Sequence, residues 1–435
     1  MSSKKRYAHI GHGSRSRMFV DAIYGDFKQY AEMVAICDIN KGRLDLANKY
    51  IGTLGGAPVV TYRADEFDKM IAETKPDTVI ITTGPDATHS DYIIRAMELG
   101  CDVITEKPMT TDDEKCRRIL DTRAATGRKI QVTFNYRYSP PRSQIRQMIM
   151  DDAIGEILSV DFGYMLDTRH GADYFRRWHR QRANSGSLLV HKSTHHFDLI
   201  NWFLDDMPEQ VFCHASHKYY KPETAERMGL TNRGQRCHGC AEKDNCKFYM
   251  EIEDGELLQD MYLNCEDEEY SYVRDKCVFS DEINIWDNMS ISVRYKRGAL
   301  LNYMLHSYCP YEGYRIAFNG TKGRIEHMCC ENTYVSGDGT VPGELKKENV
   351  STTLIPEFEA PQIIEVATGE GGHGGGDPIL LTDIFHPDPP VDALKRKAGQ
   401  KDGTYSILIG VAACKSIDTG SAINIEDLIA GSPLE

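Results

Sequence analysis

The sequence lacks the features of membrane, secreted and nucleic-acid-binding proteins. No apolar run approaches the roughly 18 residues that a membrane-spanning helix needs, so we expect no membrane partner. Basic residues are in deficit, with 51 against 65 acidic residues, and the net charge of −14 argues against nucleic acid as a partner. No signal-peptide-like stretch precedes the first strand-like segment, and the 13 cysteines are an odd number. We therefore expect a reduced, cytoplasmic protein.

The length of the chain predicts more than one domain. Its 435 residues exceed the roughly 100–200 residues of an ordinary domain, and 41% hydrophobic with 27% charged residues is a globular composition. We predict a Rossmann dinucleotide-binding domain over residues 1–150. Residues 151–435 are predicted to form a substrate-binding and catalytic α+β domain.

The first part of the chain alternates between short apolar runs and amphipathic helical patterns. This alternation predicts a doubly wound parallel sheet with helices on both faces, that is, an α/β fold. The predicted strands cover residues 7–10, 33–37, 58–62, 78–82, 102–105 and 130–134.

The pattern changes in the second part. A helix is predicted over 186–204, followed by strands in direct succession, which predict a large open mixed or antiparallel sheet flanked by helices. Those strands cover residues 289–295, 300–307, 314–319 and 324–327. The polar, cysteine-bearing segment at about 205–284 is interpreted as an insertion, and the glycine-rich run 369–376 as a loop.

A nucleotide-binding signal follows the first predicted strand. Gly11 and Gly13 begin a G-x-G-x-x-S variant of the dinucleotide fingerprint, with Ser16 in place of the third glycine. Asp38, at the end of the second strand, is placed to accept hydrogen bonds from a ribose, which favours NAD over NADP. The alternative is a surface carboxylate after a structural turn. The predicted cofactor contacts here are Gly11, Gly13, Ser14, Arg15 and Asp38.

Three further motifs lie at predicted strand ends. They are a T-x-P-x-x-x-H loop from Thr83 to His89, a Glu106-Lys107-Pro108 motif, and an N-x-R segment from Asn135 to Arg137. Together with the fingerprint they resemble the family of glucose–fructose oxidoreductase, inositol dehydrogenase and MocA. The resemblance implies cofactor contacts by Thr83, Pro85, His89, Glu106, Lys107 and Asn135. It also implies substrate binding by Arg137.

The resemblance extends to a predicted helix of the second domain. Family members carry the pattern D-x-G-x-H-x-x-D there, and His195 and Asp198 match it, whereas His191 stands where the family usually has Asp. The spacing i, i+4, i+7 places these side chains on one helix face. We assign His195 as the general base and Lys107 as its electrostatic partner, with the reverse assignment left open.

Two other interpretations of this helix remain open. His191 and His195 have the i, i+4 spacing of a metal pair, although the sequence lacks the glutamate of an H-E-x-x-H site. These polar residues would alternatively satisfy one another inside a buried helix.

Other residues are predicted to bind substrate. Trp178 stands where relatives often have W-R, and Arg169, His170 and Tyr174 are expected to line the sugar pocket. His191 and Lys192 are included because they neighbour the predicted base. His373 lies in a segment that resembles the H-G-G-x-D sequence of some relatives, including the NAD-dependent α-N-acetylgalactosaminidases; a surface loop is the alternative.

A cysteine cluster within the predicted insertion raises a separate question. Cys237, Cys240 and Cys246 have C-x₂-C-x₅-C spacing, which is compatible with structural zinc if a distant residue supplies a fourth ligand. Reduced thiols are the alternative, and an iron–sulfur centre would need a fourth thiolate.

The family resemblance implies an NAD-dependent oxidoreductase that transfers hydride between nicotinamide and a hydroxyl carbon of a sugar, glycoside or cyclitol. Two alternatives are an NAD-dependent glycoside hydrolase that uses transient oxidation and elimination, and a non-catalytic NAD-sensing regulator. The resemblance also implies a homo-dimer or homo-tetramer.

Overall fold

The computed structural model describes residues 4–265, 272–332, 349–367, 369 and 372–434, and only the backbone of residues 372–374. Within these ranges the first sheet has six parallel strands in the order β3-β2-β1-β4-β5-β6. The strands are β1 (Lys5–Ile10), β2 (Ala31–Asp38), β3 (Thr61–Arg63), β4 (Thr78–Ile81), β5 (Asp102–Thr105) and β6 (Ile130–Val132). This order is that of a Rossmann fold, as the sequence predicted.

Amphipathic helices connect these strands. They are α1 (Arg17–Tyr24), α2 (Lys41–Thr53), α3 (Phe67–Thr74), α4 (His89–Glu98), α5 (Asp113–Thr126) and α6 (Pro140–Met150). Short 3₁₀ turns at Ser14–Ser16, Ala64–Glu66, Asp86–Thr88 and Asn135–Tyr138 follow four of the strands. Because the strands are parallel, all four of these turns lie at the carboxyl edge of the sheet.

The second sheet has nine strands among the described residues, in the order β14-β13-β12-β11-β7-β10-β9-β8-β15. All neighbours are antiparallel except β7 and β10, so the predicted mixed sheet is confirmed. The strands are β7 (Ile157–Asp167), β8 (Pro208–Ser216), β9 (Asn288–Tyr295), β10 (Leu300–Cys309), β11 (Glu312–Gly320), β12 (Gly323–Asn332), β13 (Val350–Pro356), β14 (Gln362–Ile364) and β15 (Ile423–Asn424).

Nine further helices are described after β7, and some of them pack against this sheet or line the cleft. They are α7 (Thr168–Arg176), α8 (Arg182–Ser185), α9 (Leu188–His191), α10 (Ser193–Leu204), α11 (Pro222–Arg227), α12 (Glu256–Leu258), α13 (Gly372–Phe385), α14 (Gln400–Thr419) and α15 (Ile425–Leu428). A 3₁₀ turn at Trp178–Arg180 and a π-helical turn at Gln259–Leu263 complete the helical segments. Helix α14 is buried along most of its length, because it fills the space between α10 and β8.

Three details differ from the sequence predictions. Residues 372–376 of the glycine-rich run predicted as a loop instead begin α13, and Leu380, Ile384 and Phe385 of that helix pack into the hydrophobic core around the first sheet. Part of the chain beyond residue 150 therefore completes that core. The helix predicted over 186–204 is divided into α9 and α10 at Lys192, where His195 N–H donates to the Lys192 carbonyl in a tighter i+3 bond. Strand β8 occupies part of the segment interpreted as an insertion.

The open face of the second sheet carries apolar side chains. Leu300 and Met304 of β10 and Met328 of β12 are exposed, and β-pairing places Met304 and Met328 in one cross-strand row through Gly163 and Arg315. No helix within the described ranges is long and apolar enough to span a membrane.

Candidate functional site

The carboxyl edge of the first sheet and helices α7, α9 and α10 enclose one continuous cleft. The residues that the sequence predicted as cofactor contacts all line it, namely Gly11, Gly13, Ser14, Arg15, Asp38, Thr83, Pro85, His89, Glu106, Lys107 and Asn135. They come from the ends of five different strands, β1, β2, β4, β5 and β6. Parallel pairing of the strands, and not closeness in sequence, brings them together.

The first turn of the cleft depends on glycine. Gly11 has a φ of +89°, and a Cβ atom there would lie 2.6 Å from the Thr82 carbonyl carbon and the Thr83 nitrogen. A Cβ at Gly13 would meet no heavy atom within 4 Å, because this residue faces open space. Asp38 supports the turn, since its Oδ2 accepts the His12 N–H at 2.6 Å. This geometry fits the close approach of a pyrophosphate to the backbone.

A second set of contacts holds the far side of the cofactor groove. Arg15 Nε donates to Glu106 Oε1 at 2.8 Å, so the fingerprint turn is tied to the Glu-Lys-Pro motif. Asn135 Nδ2 donates to Asp377 Oδ1 at 2.8 Å, while Asn135 Oδ1 is buried without a hydrogen-bond partner among the residues that the structure describes. A buried acceptor without a partner suits a ligand with amide N–H groups, which a nicotinamide carboxamide supplies. The polar groups of the groove therefore fit a nicotinamide dinucleotide.

Lys107 lies where the cofactor groove meets the second domain. Its Nζ donates to the His191 carbonyl oxygen at 3.4 Å. Burial lowers the pKa of Lys107 to about 8, although the negative charges of Asp86 and Glu106 oppose this shift. Lys107 is therefore poised to change its charge near neutral pH.

His191 and Asp86 form a buried pair across the two parts of the chain. His191 Nδ1 lies 2.5 Å from Asp86 Oδ2. Burial raises the pKa of Asp86 well above its usual range and lowers the pKa of His191 well below its usual range. A carboxylate and an imidazole this close titrate as a unit. The pair can hold one proton between its facing atoms and accept a second at His191 Nε2.

His195 and Lys192 lie beside this pair. The His195 ring stacks on Tyr136, with ring centroids 4.2 Å apart and an interplanar angle of 13°. Lys192 Nζ donates to the Tyr136 hydroxyl at 3.3 Å and to the Tyr164 hydroxyl at 3.5 Å. Both side chains line the cleft with His191. Asp198, which the i, i+4, i+7 spacing predicts on the same helix face, instead binds Arg137 in the interior.

A second histidine–carboxylate pair lies in the same cleft. His170 Nδ1 is 2.8 Å from Glu312 Oε1, and His170 Nε2 is 2.9 Å from the Tyr174 hydroxyl. The Tyr174 ring in turn contacts His191, with ring centroids 5.3 Å apart. Both histidine–carboxylate pairs therefore line the cleft that Lys107 also lines.

The predicted substrate-binding residues have three outcomes. Arg169, Trp178, His191 and Lys192 line the cleft. Arg137 does not, because its buried guanidinium is bound by Asp198 at 2.5 and 2.7 Å and by Asp402 at 2.8 Å. The side chain of His373 lies outside what the structure describes, and its backbone belongs to α13.

Within the described ranges the cysteine cluster is not arranged as a metal site. No group of three or more His, Cys, Asp or Glu side chains there is placed to hold a metal ion. The structure therefore gives no support to the open interpretations of zinc at Cys237, Cys240 and Cys246 or of a metal pair at His191 and His195. The thiols are free, and burial raises the pKa of Cys237 and Cys246, which favours the neutral form over the thiolate that binds zinc.

Family models cover nearly the whole chain. The model described as "Oxidoreductase family, NAD-binding Rossmann fold" matches residues 5–134, and the model described as "Oxidoreductase family, C-terminal alpha/beta domain" matches residues 146–425. The chain belongs to this family. The resemblance to glucose–fructose oxidoreductase, inositol dehydrogenase and MocA is thus confirmed.

Individual relatives agree with this assignment. The chain is 37% identical over 431 residues to YteT of Bacillus subtilis (strain 168), covering 98% of each chain. It is 31% identical over 156 residues to D-glucoside 3-dehydrogenase of Escherichia coli (strain K12), or 36% of this chain and 42% of that enzyme. A solved structure of levoglucosan dehydrogenase with NADH and levoglucosan aligns with a TM-score of 0.66 at 16% identity, covering 97% of this chain and 100% of the other, which shows a shared fold.

The sequence analysis did not identify Asp86, Glu312 or Asp377 as site residues. Asp86 stands inside the T-x-P-x-x-x-H motif, and Asp377 follows the glycines after His373. Asp86 could have been found from the sequence. Because His191 stands where the family usually has Asp, the carboxylate of the usual Asp–His pair has to come from another part of the chain. Glu312 carries no such signal, since it simply begins a strand.

Replacing Gly11 tests the cofactor groove. We expect Gly11→Ala to weaken NAD⁺ binding at least tenfold, because the added methyl group would collide with the backbone at Thr82 and Thr83 and disfavour the positive φ. Gly52→Ala in α2 is a matched control, since a Cβ there meets no heavy atom within 4 Å. Titration calorimetry with NAD⁺ measures both. Equal affinity of Gly11→Ala and the parent protein would contradict this account of the turn.

Proposed function

We propose that the protein is an NAD-dependent oxidoreductase that oxidises a carbinol carbon of a sugar, glycoside or cyclitol. The observation that carries the proposal is the convergence of Lys107 and the Asp86–His191 pair at the end of the cofactor groove. The similarity to a D-glucoside 3-dehydrogenase supports the carbohydrate substrate class.

The Asp86–His191 pair is the proposed acceptor of the proton from the substrate hydroxyl. A bound nicotinamide supplies the site for the hydride, and the hydroxyl proton must go to a base in the protein. The Asp86–His191 pair is equipped for this, because Asp86 orients the ring and leaves Nε2 to receive the proton. His195, assigned as the base from the sequence, is stacked on Tyr136 and is proposed to position the substrate hydroxyl.

Lys107 is proposed to stabilise the oxygen from which the proton departs. A cationic ammonium group in a buried site attracts the negative charge that develops on that oxygen. Its neighbours Asp86 and Glu106 favour the cation, whereas Lys192 and Arg15 oppose it. Burial and these neighbouring charges together leave Lys107 positively charged at pH values below about 8.

Asp38 supports the choice of NAD over NADP. Its carboxylate is 4% exposed and lies at the end of β2, beside the first turn of the cofactor groove. A negative group in this place repels the 2′-phosphate of NADP and can accept a ribose hydroxyl. An NAD-sensing regulator would need this groove but not the converging Lys107 and Asp86–His191, so these residues favour an enzyme.

A substrate panel tests the proposed activity. We expect NAD⁺ and one or more members of a panel of free sugars, 4-nitrophenyl glycosides and inositols to give reduced nicotinamide. Lys107→Ala should lower that rate by about 10²-fold or more, because it removes a preorganised charge next to the reacting oxygen. Absorbance of the reduced nicotinamide measures the rate. Lys129→Ala is the control, because Lys129 is exposed and directly precedes β6 at the amino edge of the first sheet, opposite the cleft. A panel without any reduction of nicotinamide would overturn the proposal.

The charge on Lys107 predicts the pH profile. Lys107 is a cation below its pKa of about 8, so kcat/KM for oxidation should fall as the pH rises through that value. In Lys107→Arg the guanidinium stays protonated, and the alkaline decline should disappear although the absolute rate is lower. The measurement is kcat/KM from initial rates between pH 6 and pH 10. An unchanged decline near pH 8 in Lys107→Arg would assign it to another group.

We further propose that the open face of the second sheet joins copies of the chain. Leu300, Met304 and Met328 form an exposed apolar surface that association would bury. Light scattering should give a multiple of 49.2 kDa for the parent protein. A Met304→Lys, Met328→Lys double variant should shift toward the monomer, whereas Ala125→Lys on α5 should not. A monomeric parent protein would refute the interface.

A further inference from the structure

Lys192 carries a buried positive charge in the cleft without a carboxylate in direct contact. The residue is 4% exposed and lines the cleft. Its ammonium group donates to the Tyr136 hydroxyl at 3.3 Å and to the Tyr164 hydroxyl at 3.5 Å, and it forms no ion pair within the described ranges. Buried charges are normally paired, because an unpaired one loses its hydration without compensation. An anion is therefore missing from this position.

The two carboxylates whose charges act on Lys192 are bound by other groups. Glu312 pairs with His170, whose Nδ1 lies 2.8 Å from its Oε1, and Glu331 Oε1 lies 3.6 Å from Arg142 Nη2. Burial lowers the pKa of Lys192, but neighbouring groups that include Glu312 and Glu331 outweigh burial and raise it above its usual value. Lys192 is therefore a permanent cation at neutral pH, and neither carboxylate meets it directly.

Two tyrosines hold the ammonium group without neutralising it. Lys192 Nζ lies 4.7 Å from the centre of the Tyr164 ring and 5.8 Å from that of Tyr136. Aromatic rings attract cations but carry no net charge. An ammonium group has three N–H donors, and the two hydroxyls use two of them. The third has no partner among the residues that the structure describes, so it can donate to a ligand.

The ammonium group lies beside the proposed reacting groups. Lys192 directly follows His191, which pairs with Asp86, and its charge is one of those that lower the pKa of Lys107. A substrate that presents a hydroxyl to His191 and Lys107 therefore has its remaining groups next to Lys192. Arg169, an exposed basic side chain, lines the same cleft.

The walls of the cleft are more basic than the molecule as a whole. The chain has a net charge of −14, yet basic side chains slightly outnumber acidic ones among the residues that line the cleft. Positive charge on the walls of a cleft focuses the field there and attracts anions from solution. This distribution favours a negatively charged substrate over a neutral one.

We propose that the substrate is an acidic carbohydrate, a uronate or its glycoside, whose carboxylate binds Lys192. The inference rests on the proposed oxidation, because it names the substrate of that reaction. A carboxylate has one negative charge and matches the single ammonium group. A phosphate monoester has nearly two at neutral pH, so Glu312 and Glu331 would repel it more strongly.

Matched substrates test the proposal on the parent protein. Each set consists of a uronate, the neutral hexose, the uronamide and the hexose 6-phosphate, which differ only at C6, in the gluco and galacto configurations, with methyl glycosides of both anomers included. Absorbance of reduced nicotinamide gives kcat/KM. In at least one set we expect the uronate to exceed the other three by about 10²-fold or more, because only its carboxylate pairs with the buried cation.

Replacing Lys192 tests which residue gives that preference. Lys192→Met removes the charge and keeps an unbranched side chain, so kcat/KM for the uronate should fall by about 10²-fold, to the level of the uronamide. The values for the neutral hexose and the uronamide should change little. Titration calorimetry with NAD⁺ should give the parent affinity, which shows that the variant is folded. Lys129→Met, at an exposed lysine outside the cleft, is the matched control and should keep the preference.

The other outcomes would overturn the inference. Oxidation of neutral hexoses as fast as uronates by the parent protein would do so and leave the proposed dehydrogenase intact. A preference for the hexose 6-phosphate would assign the cation to a phosphate group instead. Equal loss of activity with uronate and neutral hexose in Lys192→Met would show that Lys192 does not bind the carboxylate. If no sugar reduces nicotinamide, the proposed function fails and the inference fails with it.

Discussion

The contact between Asp86 and His191 is the interaction on which the site depends. It joins the turn after β4, in the cofactor half, to the end of α9, in the substrate half, at a separation of 2.5 Å. Both groups are buried, so neither tolerates an unmatched charge. Lys107, bonded to the His191 carbonyl, completes the arrangement. These side chains are thus fixed relative to the groove by bonds between the two halves.

This contact also explains why a histidine can stand at position 191. The pattern of the family places an aspartate there, next to His195 on the helix. In this chain the carboxylate comes instead from Asp86 on the opposite wall, so a histidine–carboxylate pair still faces the substrate space. A second such pair, Glu312 and His170, lines the same cleft, where His170 Nε2 lies 2.9 Å from the Tyr174 hydroxyl.

The parts of the site that could be predicted from the sequence are those with local signals. Gly11 and Gly13 follow a buried strand, Lys107 ends another, and the spacing of His191 and His195 is helical, so each was placed correctly. The partners could not be predicted, because they are distant in sequence: Asp86 lies 105 positions from His191, and Glu312 lies 142 from His170. Only the folded arrangement of strands and helices brings them together.

The errors have equally physical causes. Arg137 has the spacing of a substrate contact, but the Asp198 carboxylate, 61 positions away, binds its guanidinium in the interior. The glycine-rich run was predicted as a loop from composition, whereas the apolar residues that follow it anchor a helix against the first sheet. The close cysteine spacing left zinc and reduced thiols open, and the structure favours thiols, because Cys237 accepts a hydrogen bond from Arg176 Nη1 at 3.2 Å and is buried beside Phe248 and Phe279.

A double-mutant cycle between Asp86 and His191 tests the central claim most directly. It compares kcat/KM for carbinol oxidation in the parent protein, Asp86→Asn, His191→Asn and the double variant. If the two residues act as one proton acceptor, the double variant should have the same kcat/KM as His191→Asn alone. The proton acceptor is already lost in His191→Asn, so replacing Asp86 as well has no further effect on the rate. If the two losses multiply in the double variant, the residues act independently and the account of the site is wrong.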